Sequence, residues 1–348
     1  MTFLFLYTEL AGYSMDCFQE HLRLHPEDSI HVVHYPINPE APFQFQIPRG
    51  VVLHEKKKLG TEGIYELIKQ IRPSVILMSG WQDKDYLRLA RMAGKTYRFV
   101  LCLDNTWRNT WKQWLLLLPA RIILRSITRY CWVPGEPQKK FAVILGFNPK
   151  NVFTGFYAAN LQRYRDLAVK TKSQDRPRRF LVVARYIPQK GYDLLWQAFI
   201  SLHKVGYNQW ELWCAGTGPL YEHRVQYPGI RHLGFVQPEE MEYLISQTDV
   251  FVLPSRFEPW GVAVHEFAAA GMPLILSDAV NAHHAFLKPN ENGFLFKNGD
   301  IQSLTSALKT MMETADEQRS QMGHLSATLA GMYDTAAWSS TLHKLASV

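Results

Sequence analysis

Cysteine is scarce in this chain and does not occur in a disulfide or zinc-binding pattern. The four cysteines are Cys17, Cys102, Cys131 and Cys214; none forms a C-x-x-C pair, and all lie in apolar segments. Zinc sites and secreted disulfide scaffolds need closely spaced or paired cysteines. The pattern therefore favours core thiols in a reducing compartment.

Long apolar runs are also missing. No stretch approaches the roughly 20 apolar residues that a membrane-spanning helix needs. The first residues, MTFLFLYTELAGY, have no basic segment and become polar too early for a signal peptide. We therefore expect a cytoplasmic protein in which FLFLY is a buried strand.

Strand-like and helix-like segments alternate along all 348 residues. Such alternation predicts an α/β fold with two doubly wound parallel sheets. A polar, charged stretch at 158–178 is interpreted as a linker, after which the pattern restarts with RFLVVARY. Seven strands are predicted before it, at 3–7, 29–35, 50–55, 74–79, 98–104, 129–134 and 151–155, and six after it, in RFLVVARY, WELWCAG, IRHLGFV, DVFVLPS, PLILSD and GFLF.

Ligands of open α/β sheets bind beyond the carboxyl ends of strands, and several such loops in the second half carry suitable residues. Arg185 and Lys190 follow one strand, and both cations can grip a diphosphate. Gly261 opens a helix whose free N–H groups suit an anion. Glu266, further along that helix, can accept hydrogen bonds from vicinal hydroxyls, and Glu258 precedes the helix. The spacing predicts one ligand with hydroxyls at both ends and phosphates between them.

Other interpretations of these residues remain open. Surface carboxylates, or a glycosidase pair flanking one bond, would explain the two glutamates, but a glycosidase would leave the basic residues without a purpose. A strand-ending turn explains Gly216 and Thr217 as well as a ligand does. His54, His283 and His284 do not have the spacing of metal ligands. Helix capping explains Asp83 and Asn105 as well as ligand binding does. Asp104 is another residue at a strand exit of the first half.

The ordered set of motifs resembles the family 4 glycosyltransferases, which are retaining, nucleotide-sugar-dependent enzymes of GT-B fold. The resemblance covers about 179–300 and rests on VARYIPQKGYDLLWQAF, CAGTGPL, IRHLGFVQPEEM, RFEPWGVAVHEFAAAGMPLILSD and ENGFLF. It implies two Rossmann-like domains facing across a cleft, with an acceptor domain at 1–157, a donor domain at 158–333, and a last helix at 334–348 that crosses back to the first domain.

The resemblance also implies roles for individual residues. Arg185 and Lys190 match the basic pair on the donor diphosphate, Glu266 the ribose-binding glutamate, and Glu258 the glutamate facing the donor sugar. The remaining donor contacts are assigned to the helix start at Gly261 and Val262, to Val236, Gly216 and Thr217, and to Gly12 in the loop after the first strand. No metal is expected, and the donor is expected to be a UDP-sugar.

Three departures from the family concern the loop after the first strand, a missing histidine and a backbone segment. The loop after the first strand, TELAGYS, has one glycine where the family often has several, and the first half has no histidine at SGWQDKD or LDNTWRNT. VNAHHAF replaces the family's Gly-Gly segment. A retaining mechanism survives these changes, because the departing phosphate can itself take the acceptor's proton.

The expected activity is transfer of a sugar to a hydroxyl of a saccharide or lipid-linked acceptor, in polysaccharide or glycolipid assembly. Two alternatives stay open: a GT-B nucleotide-sugar epimerase, and a non-catalytic protein that binds a membrane or polyanion and has a decayed donor site. Nucleic acid is not an expected partner, because no recognition motif occurs and the basic residues are spread over many segments.

Positive charge is concentrated in the first half. Residues 1–157 hold 20 Lys/Arg and 13 Asp/Glu, whereas residues 158–348 hold 18 of each. Residues 105–135 contain no acidic residue, and Trp107, Trp111, Trp114 and Leu118 recur there at helical spacing beside Arg121, Arg125 and Arg129. This pattern predicts a helix that lies on an anionic cytoplasmic membrane face; a buried helix pair with a solvated basic edge is the alternative.

Overall fold

The computed structural model describes residues 1–36, 43, 46–168, 176–238 and 240–347. The chain forms two compact units. The first contains almost all of residues 1–158 together with Tyr333–Val348, and the second is built mainly from Ala159–Met332. Each unit has one parallel sheet with helices in its crossovers, which confirms the predicted α/β class of two doubly wound domains.

The first sheet has seven strands in the order β3-β2-β1-β4-β5-β6-β7. All pairings are parallel, and the central strands are apolar throughout because helices cover both faces. The seven predicted strands are all present, most of them one to three residues shorter than predicted. They are β1 (Thr2–Leu6), β2 (Ser29–His34), β3 (Val51–Glu55), β4 (Val75–Ser79), β5 (Phe99–Cys102), β6 (Tyr130–Trp132) and β7 (Val152–Phe153).

The second sheet has six strands in the order β10-β9-β8-β11-β12-β13, again all parallel. Its two middle strands, β8 and β11, are the point at which the strand order reverses. All six predicted strands are present. They are β8 (Arg178–Val183), β9 (Trp210–Ala215), β10 (Ile230–Gly234), β11 (Val250–Leu253), β12 (Leu274–Ser277) and β13 (Gly293–Phe296).

Helices fill the crossovers, and their ends follow local signals. Asp83 caps one helix by accepting hydrogen bonds from the backbone N–H groups of Asp85 and Tyr86 at 2.9 and 3.1 Å. None of the described helices has the length and apolarity that crossing a membrane requires. They are α1 (Gly12–Leu24), α2 (Lys56–Ile71), α3 (Lys84–Ala93), α4 (Trp111–Ile127), α5 (Glu136–Ile144), α6 (Leu161–Ala168), α7 (Tyr192–Lys204), α8 (Met241–Gln247), α9 (Val262–Ala269), α10 (His283–Phe286), α11 (Ile301–Glu313), α12 (Asp316–Ala330) and α13 (Thr335–Ser347).

One local prediction is wrong, and the capping explanation offered for Asn105 does not hold. The stretch at 158–178 is not linker throughout, because α6 forms within it; residues 169–175 lie outside the described residues. Asn105 does not cap the next helix. The cap of α4 is Thr110, whose hydroxyl accepts from the backbone N–H of Gln113 at 3.4 Å.

The last helix, α13, packs on the first sheet. Trp338 is buried against Phe5 and donates its indole N–H to the carbonyl of Phe156 at 2.9 Å. Arg98 donates to the carbonyls of Leu345 and Ala346 at 3.1 and 2.8 Å, which satisfies the end of the helix. The chain therefore returns to its first unit after completing the second.

A histidine cluster joins α13 to α1. Asp28 accepts from His21 at 3.1 Å and from His343 at 3.0 Å, and it also pairs with the amino group of Met1. The other nitrogen of His21 contacts the Ser339 hydroxyl at 2.8 Å. Burial lowers the pKa of His21 from 6.5 to about 4, against the opposing effect of Asp28. The imidazole is therefore neutral in the folded protein near neutral pH.

This pKa predicts an acid-sensitive contribution to stability. The contribution is complete above the unfolded pKa of His21 and is lost as the pH falls from 6.5 towards 4. The wild type should therefore lose about 2 kcal/mol of its stability advantage over His21→Gln across this window, by urea denaturation. His324→Gln changes an exposed histidine of α12, and its difference from wild type should stay constant. A constant difference for His21→Gln as well would contradict the assignment.

Candidate active site

Most of the predicted site residues of the second half follow β8 and β11, the two strands between which the strand order of the second sheet reverses. The loops after β8 and β11 leave neighbouring strands there, at the carboxyl edge of the sheet. In open α/β sheets this position forms a ligand-binding crevice. Two side chains that are 68 residues apart in sequence, Lys190 and Glu258, meet at this edge.

The loop after β8 carries the predicted basic pair. Arg185 is exposed, and Lys190 ends a short 3-10 turn, Pro188–Lys190. Gly191 follows in the left-handed conformation, with φ of 70°, and α7 begins at the next residue. A Cβ atom on Gly191 would lie 2.2 Å from the carbonyl oxygen of Pro254, so only glycine allows the two loops to approach this closely.

Hydrogen bonds tie the loop after β11 to this turn. The backbone N–H of Arg256 donates to the carbonyl of Gln189 at 2.7 Å, and the Gln189 amide donates to the carbonyl of Phe257 at 2.7 Å. Arg256 also grips Asp193 of α7 with two bonds of 2.8 and 2.6 Å, which lower the pKa of Asp193. The two loops therefore form one connected wall.

Lys190 and Glu258 form an ion pair in this wall. Each side chain is 14% exposed, so the pair is largely shielded from bulk water. The Ser255 hydroxyl donates to the same carboxylate oxygen of Glu258 at 3.1 Å. The carboxylate is thus held by one cation and one hydroxyl.

The backbone of Glu258 is fixed by Ala279 and by the segment VNAHHAF that follows it. The Glu258 N–H donates to the carbonyl of Ala279 at 3.0 Å, and the Asn281 side chain donates to the carbonyl of Glu258 at 3.0 Å. Glu258 also forms an isolated parallel bridge with Val280. VNAHHAF therefore supports the glutamate through side-chain and backbone hydrogen bonds.

The helix that follows starts at Gly261, as predicted. Gly261 is left-handed, with φ of 102°, and α9 runs from Val262. The first turn contains no acidic residue, so its free N–H groups keep their attraction for an anion. Glu266 is half-buried on the second turn, and Trp260 anchors the helix entrance by packing, 2% exposed, against Phe286.

The loop after β9 has a structural reason for its glycine at position 216. A Cβ on Gly216, whose φ is 133°, would lie 1.9 Å from the carbonyl oxygen of Ala184. The carbonyl of Thr217 accepts from the N–H of Tyr186 at 2.8 Å. Both residues therefore join this loop to the exit of β8, and Val236 follows β10 as a half-buried residue.

In the first unit, polar side chains gather beyond the carboxyl ends of its strands. Asp83 accepts from Lys56 and from the Tyr35 hydroxyl, both at 2.6 Å, in addition to capping α3. Asp104, after β5, accepts from the Tyr157 hydroxyl at 3.2 Å. Gly12, the remaining predicted donor-binding residue, opens α1.

The histidines named from the sequence have structural partners. His54 and His31 lie 3.0 Å apart through their ring nitrogens, and His283 contacts the carbonyl of Val280 at 2.8 Å. Sequence spacing does not reveal that His21, Asp28 and His343 gather closely enough to hold a metal ion, because the fold brings them together from opposite ends of the chain. It also gives no sign of Ser255 or Asn281 as supports of Glu258.

A substitution at Gly191 tests whether the close approach of the loops after β8 and β11 contributes to stability. Gly191→Ala should destabilise the second unit by about 3 kcal/mol, since left-handed strain is joined by a clash with the Pro254 carbonyl. Gly299→Ala is the matched control, because Gly299 has φ of 75° with open space around its Cβ position, and it should cost only about 1 kcal/mol. Equal costs in denaturant unfolding would show that the close approach is unimportant.

Comparison with known proteins finds similarity to glycosyltransferases. Residues 164–326 match the family model described as glycosyl transferases group 1. An uncharacterized glycosyltransferase of Methanocaldococcus jannaschii is 30% identical over 172 residues, which are 47% of this chain and 42% of that protein. A glycogen synthase of Desulforudis audaxviator is 28% identical over 41% of this chain and 31% of its own length. The chain thus spans less than half the length of these two relatives.

Solved structures match along the whole chain. Anabaena HepE in complex with UDP and glucose superposes with a TM-score of 0.76 over 100% of both chains, at 15% identity. Sucrose-phosphate synthase of Thermosynechococcus elongatus gives 0.75 over 99% of this chain and 98% of the other, at 16% identity. At such identities the likeness shows the fold. The resemblance found in the sequence is confirmed: the chain has the two-domain GT-B fold, and residues 164–326, just under half of the chain, match the group 1 glycosyl transferases.

Proposed function

We propose that the protein is a retaining glycosyltransferase that moves a sugar from a nucleotide-diphosphate sugar to a hydroxyl acceptor. The observation that carries the proposal is the wall formed by the loops after β8 and β11. It holds Lys190, Glu258 and the start of α9 within one hydrogen-bonded unit. Cations, a helix N-terminus and carboxylates are the groups that a sugar diphosphate requires.

The ion pair suggests how a donor would enter. Lys190 is neutralised by Glu258 in the structure, so a diphosphate has to compete with that carboxylate for the ammonium group. Arg185 and the first N–H groups of α9 would supply the other phosphate contacts. Once Lys190 turns to the phosphate, Glu258 is released to accept a hydrogen bond from a sugar hydroxyl. Glu266 would accept hydrogen bonds from the ribose hydroxyls.

The chemistry then needs no further acid or base. The bond between the anomeric carbon and the phosphate oxygen breaks, and the acceptor oxygen bonds to the same face of that carbon. The acceptor's proton passes to the departing diphosphate. Lys190, Arg185 and the helix start stabilise the charge that develops on the phosphate, which is the kind of preorganised stabilisation that contributes most to such reactions.

We propose a UDP-sugar as the donor and no metal requirement. Support for UDP comes from HepE, whose structure contains UDP and glucose, and from an Escherichia coli relative named as a UDP-Gal-dependent galactosyltransferase. Gly12, Gly216, Thr217, Val236 and Val262 are proposed to contribute backbone or apolar contacts to the donor.

The first unit is proposed to bind the acceptor, a saccharide or a lipid-linked saccharide, in polysaccharide or glycolipid assembly. The E. coli relative acts on a diphosphoundecaprenol-linked sugar, as its name states. Asp104, with the Tyr157 hydroxyl bonded to it, offers a polar group to an acceptor hydroxyl at the carboxyl edge of the first sheet. We propose that the enzyme works at the cytoplasmic face of a membrane, where such acceptors are presented.

Nucleotide binding tests the donor assignment first. Thermal unfolding should shift upward with UDP and not with GDP or ADP, since a ligand at a hundredfold excess over Kd stabilises the folded form by about 2.7 kcal/mol. Glu266→Gln should lose most of this shift. Glu317→Gln, which changes an exposed glutamate of α12, should keep it. A folded sample that responds to none of the nucleotides would refute the donor site.

The Lys190–Glu258 pair predicts opposite effects on binding and on turnover. Glu258→Gln should lower kcat by about 100-fold, yet bind UDP as tightly as wild type or more tightly, because the competing carboxylate is gone. Lys190→Gln should weaken UDP binding by about tenfold or more, through loss of a charged hydrogen bond. The measurements are initial rates with a UDP-sugar and UDP affinity by calorimetry. Full turnover in Glu258→Gln would remove the role proposed for it.

A further inference from the structure

Helix α4 has an apolar face that points away from its own domain. Trp111, Leu115, Leu118 and Ile122 recur at the spacing of one helix face, and they are 68, 67, 66 and 64% exposed. We call these four residues the α4 outer face. Single exposed apolar side chains are ordinary on soluble proteins, whereas a contiguous row marks an interaction surface.

The opposite side of the same helix accounts for its place in the fold. Leu124 and Ile127 are buried, and Leu117, Ala120 and Ile123 pack against the core of the first unit. The outer face is therefore not needed to hold α4 on the domain. It consists of large side chains whose apolar surface remains in water although the helix is already docked.

Arginines border the α4 outer face. Arg121 and Arg125 lie one turn apart beside it, and Arg129 follows the helix; all three are exposed. Among the described residues, no carboxylate forms an ion pair with any of them, and residues 105–135 contain no acidic residue. Positive charge around an apolar row complements a surface that is anionic outside and apolar inside.

A basic recess lies beside the last turn of α4. Lys95, Arg98, Arg125 and Arg129 line a cavity of about 440 Å³ to which no acidic side chain contributes among the described residues. Arg98 is engaged with the carbonyls of Leu345 and Ala346, so the other three supply the free charge. A recess of this kind suits a phosphate group.

We propose that the α4 outer face docks on an anionic lipid bilayer, with its apolar row in the acyl boundary and lipid phosphates at Arg121, Arg125 and the basic recess. Amphipathic helices bind membranes in this way, with aromatic and aliphatic side chains inserted and basic ones at the headgroups. A second copy of the chain is a poorer occupant, because pairing two such faces would bring the arginines of both copies together.

This inference deepens the proposed function by naming the surface that would bring the enzyme to a lipid-linked acceptor. Its test needs neither donor nor acceptor, so the two can fail separately. Loss of transfer with intact vesicle binding would count against the glycosyltransferase proposal alone, and intact transfer to a soluble acceptor without vesicle binding would count against this one alone.

The test is flotation with vesicles of phosphatidylcholine alone and of phosphatidylcholine mixed with phosphatidylglycerol. The wild type should bind the mixed vesicles, bind the neutral ones weakly or not at all, and dissociate as salt is raised. Arg121→Gln/Arg125→Gln should weaken binding about 30-fold, at roughly fivefold per arginine. Leu118→Gln/Ile122→Gln should weaken it by about tenfold or more.

Matched controls change similar side chains elsewhere. Lys204→Gln/Lys309→Gln removes two exposed charges of the second unit, and Val205→Gln/Met332→Gln removes two exposed apolar side chains; both should bind as wild type does. All variants are checked for an unchanged circular dichroism spectrum and melting temperature. Equal binding to both vesicle types, no binding to either, or a dimer in sedimentation that Leu118→Gln/Ile122→Gln abolishes would overturn the proposal.

Discussion

The ion pair between Lys190 and Glu258 is the interaction around which the second domain's site is organised. It joins the loops of two neighbouring strands across the point where the strand order reverses. A largely shielded pair is costly to break on one side only, because the remaining charge is left without a partner. The pair therefore keeps both groups in place.

Much of the surrounding structure serves to bring these two side chains together. Gly191 permits the turn after β8 to touch the carbonyl of Pro254, and the Arg256–Asp193 contact holds that turn against the loop after β11. Asn281 fixes the backbone of Glu258 from a third strand exit. Side-chain and backbone hydrogen bonds both contribute to this arrangement.

The sequence predicts the fold well because apolar runs bounded by polar turns are unambiguous in parallel sheets. It also predicts that the loops after β8 and β11 lie together, because the carboxyl ends of parallel strands share one edge of the sheet. It cannot show contacts that depend on three-dimensional approach, such as the Ser255 bond to Glu258 or the gathering of His21 and His343 on Asp28. The polar composition of residues 158–178 did not indicate α6, because the sequence of a helix rich in charged residues resembles that of a linker.

The apolar pattern of helix α4 does not decide its environment. Both of its faces are apolar, so periodicity alone could not separate a buried helix from one that lies on a membrane. Exposure distinguishes the two faces of the helix: Leu124 is buried while Leu118 is 66% exposed.

The distribution of charge between the two halves agrees with the proposal that the second half binds the donor and the first half docks on lipid. A diphosphate is a small anion, and a few fixed groups such as Lys190 can hold it beside carboxylates, so the second half needs no net charge. An anionic lipid surface carries many negative charges over a wide area. Its attraction for a protein grows with the number of unpaired cations near it. An excess of positive charge in the half that carries α4 therefore fits the proposed membrane docking. Donor binding alone would not require this excess.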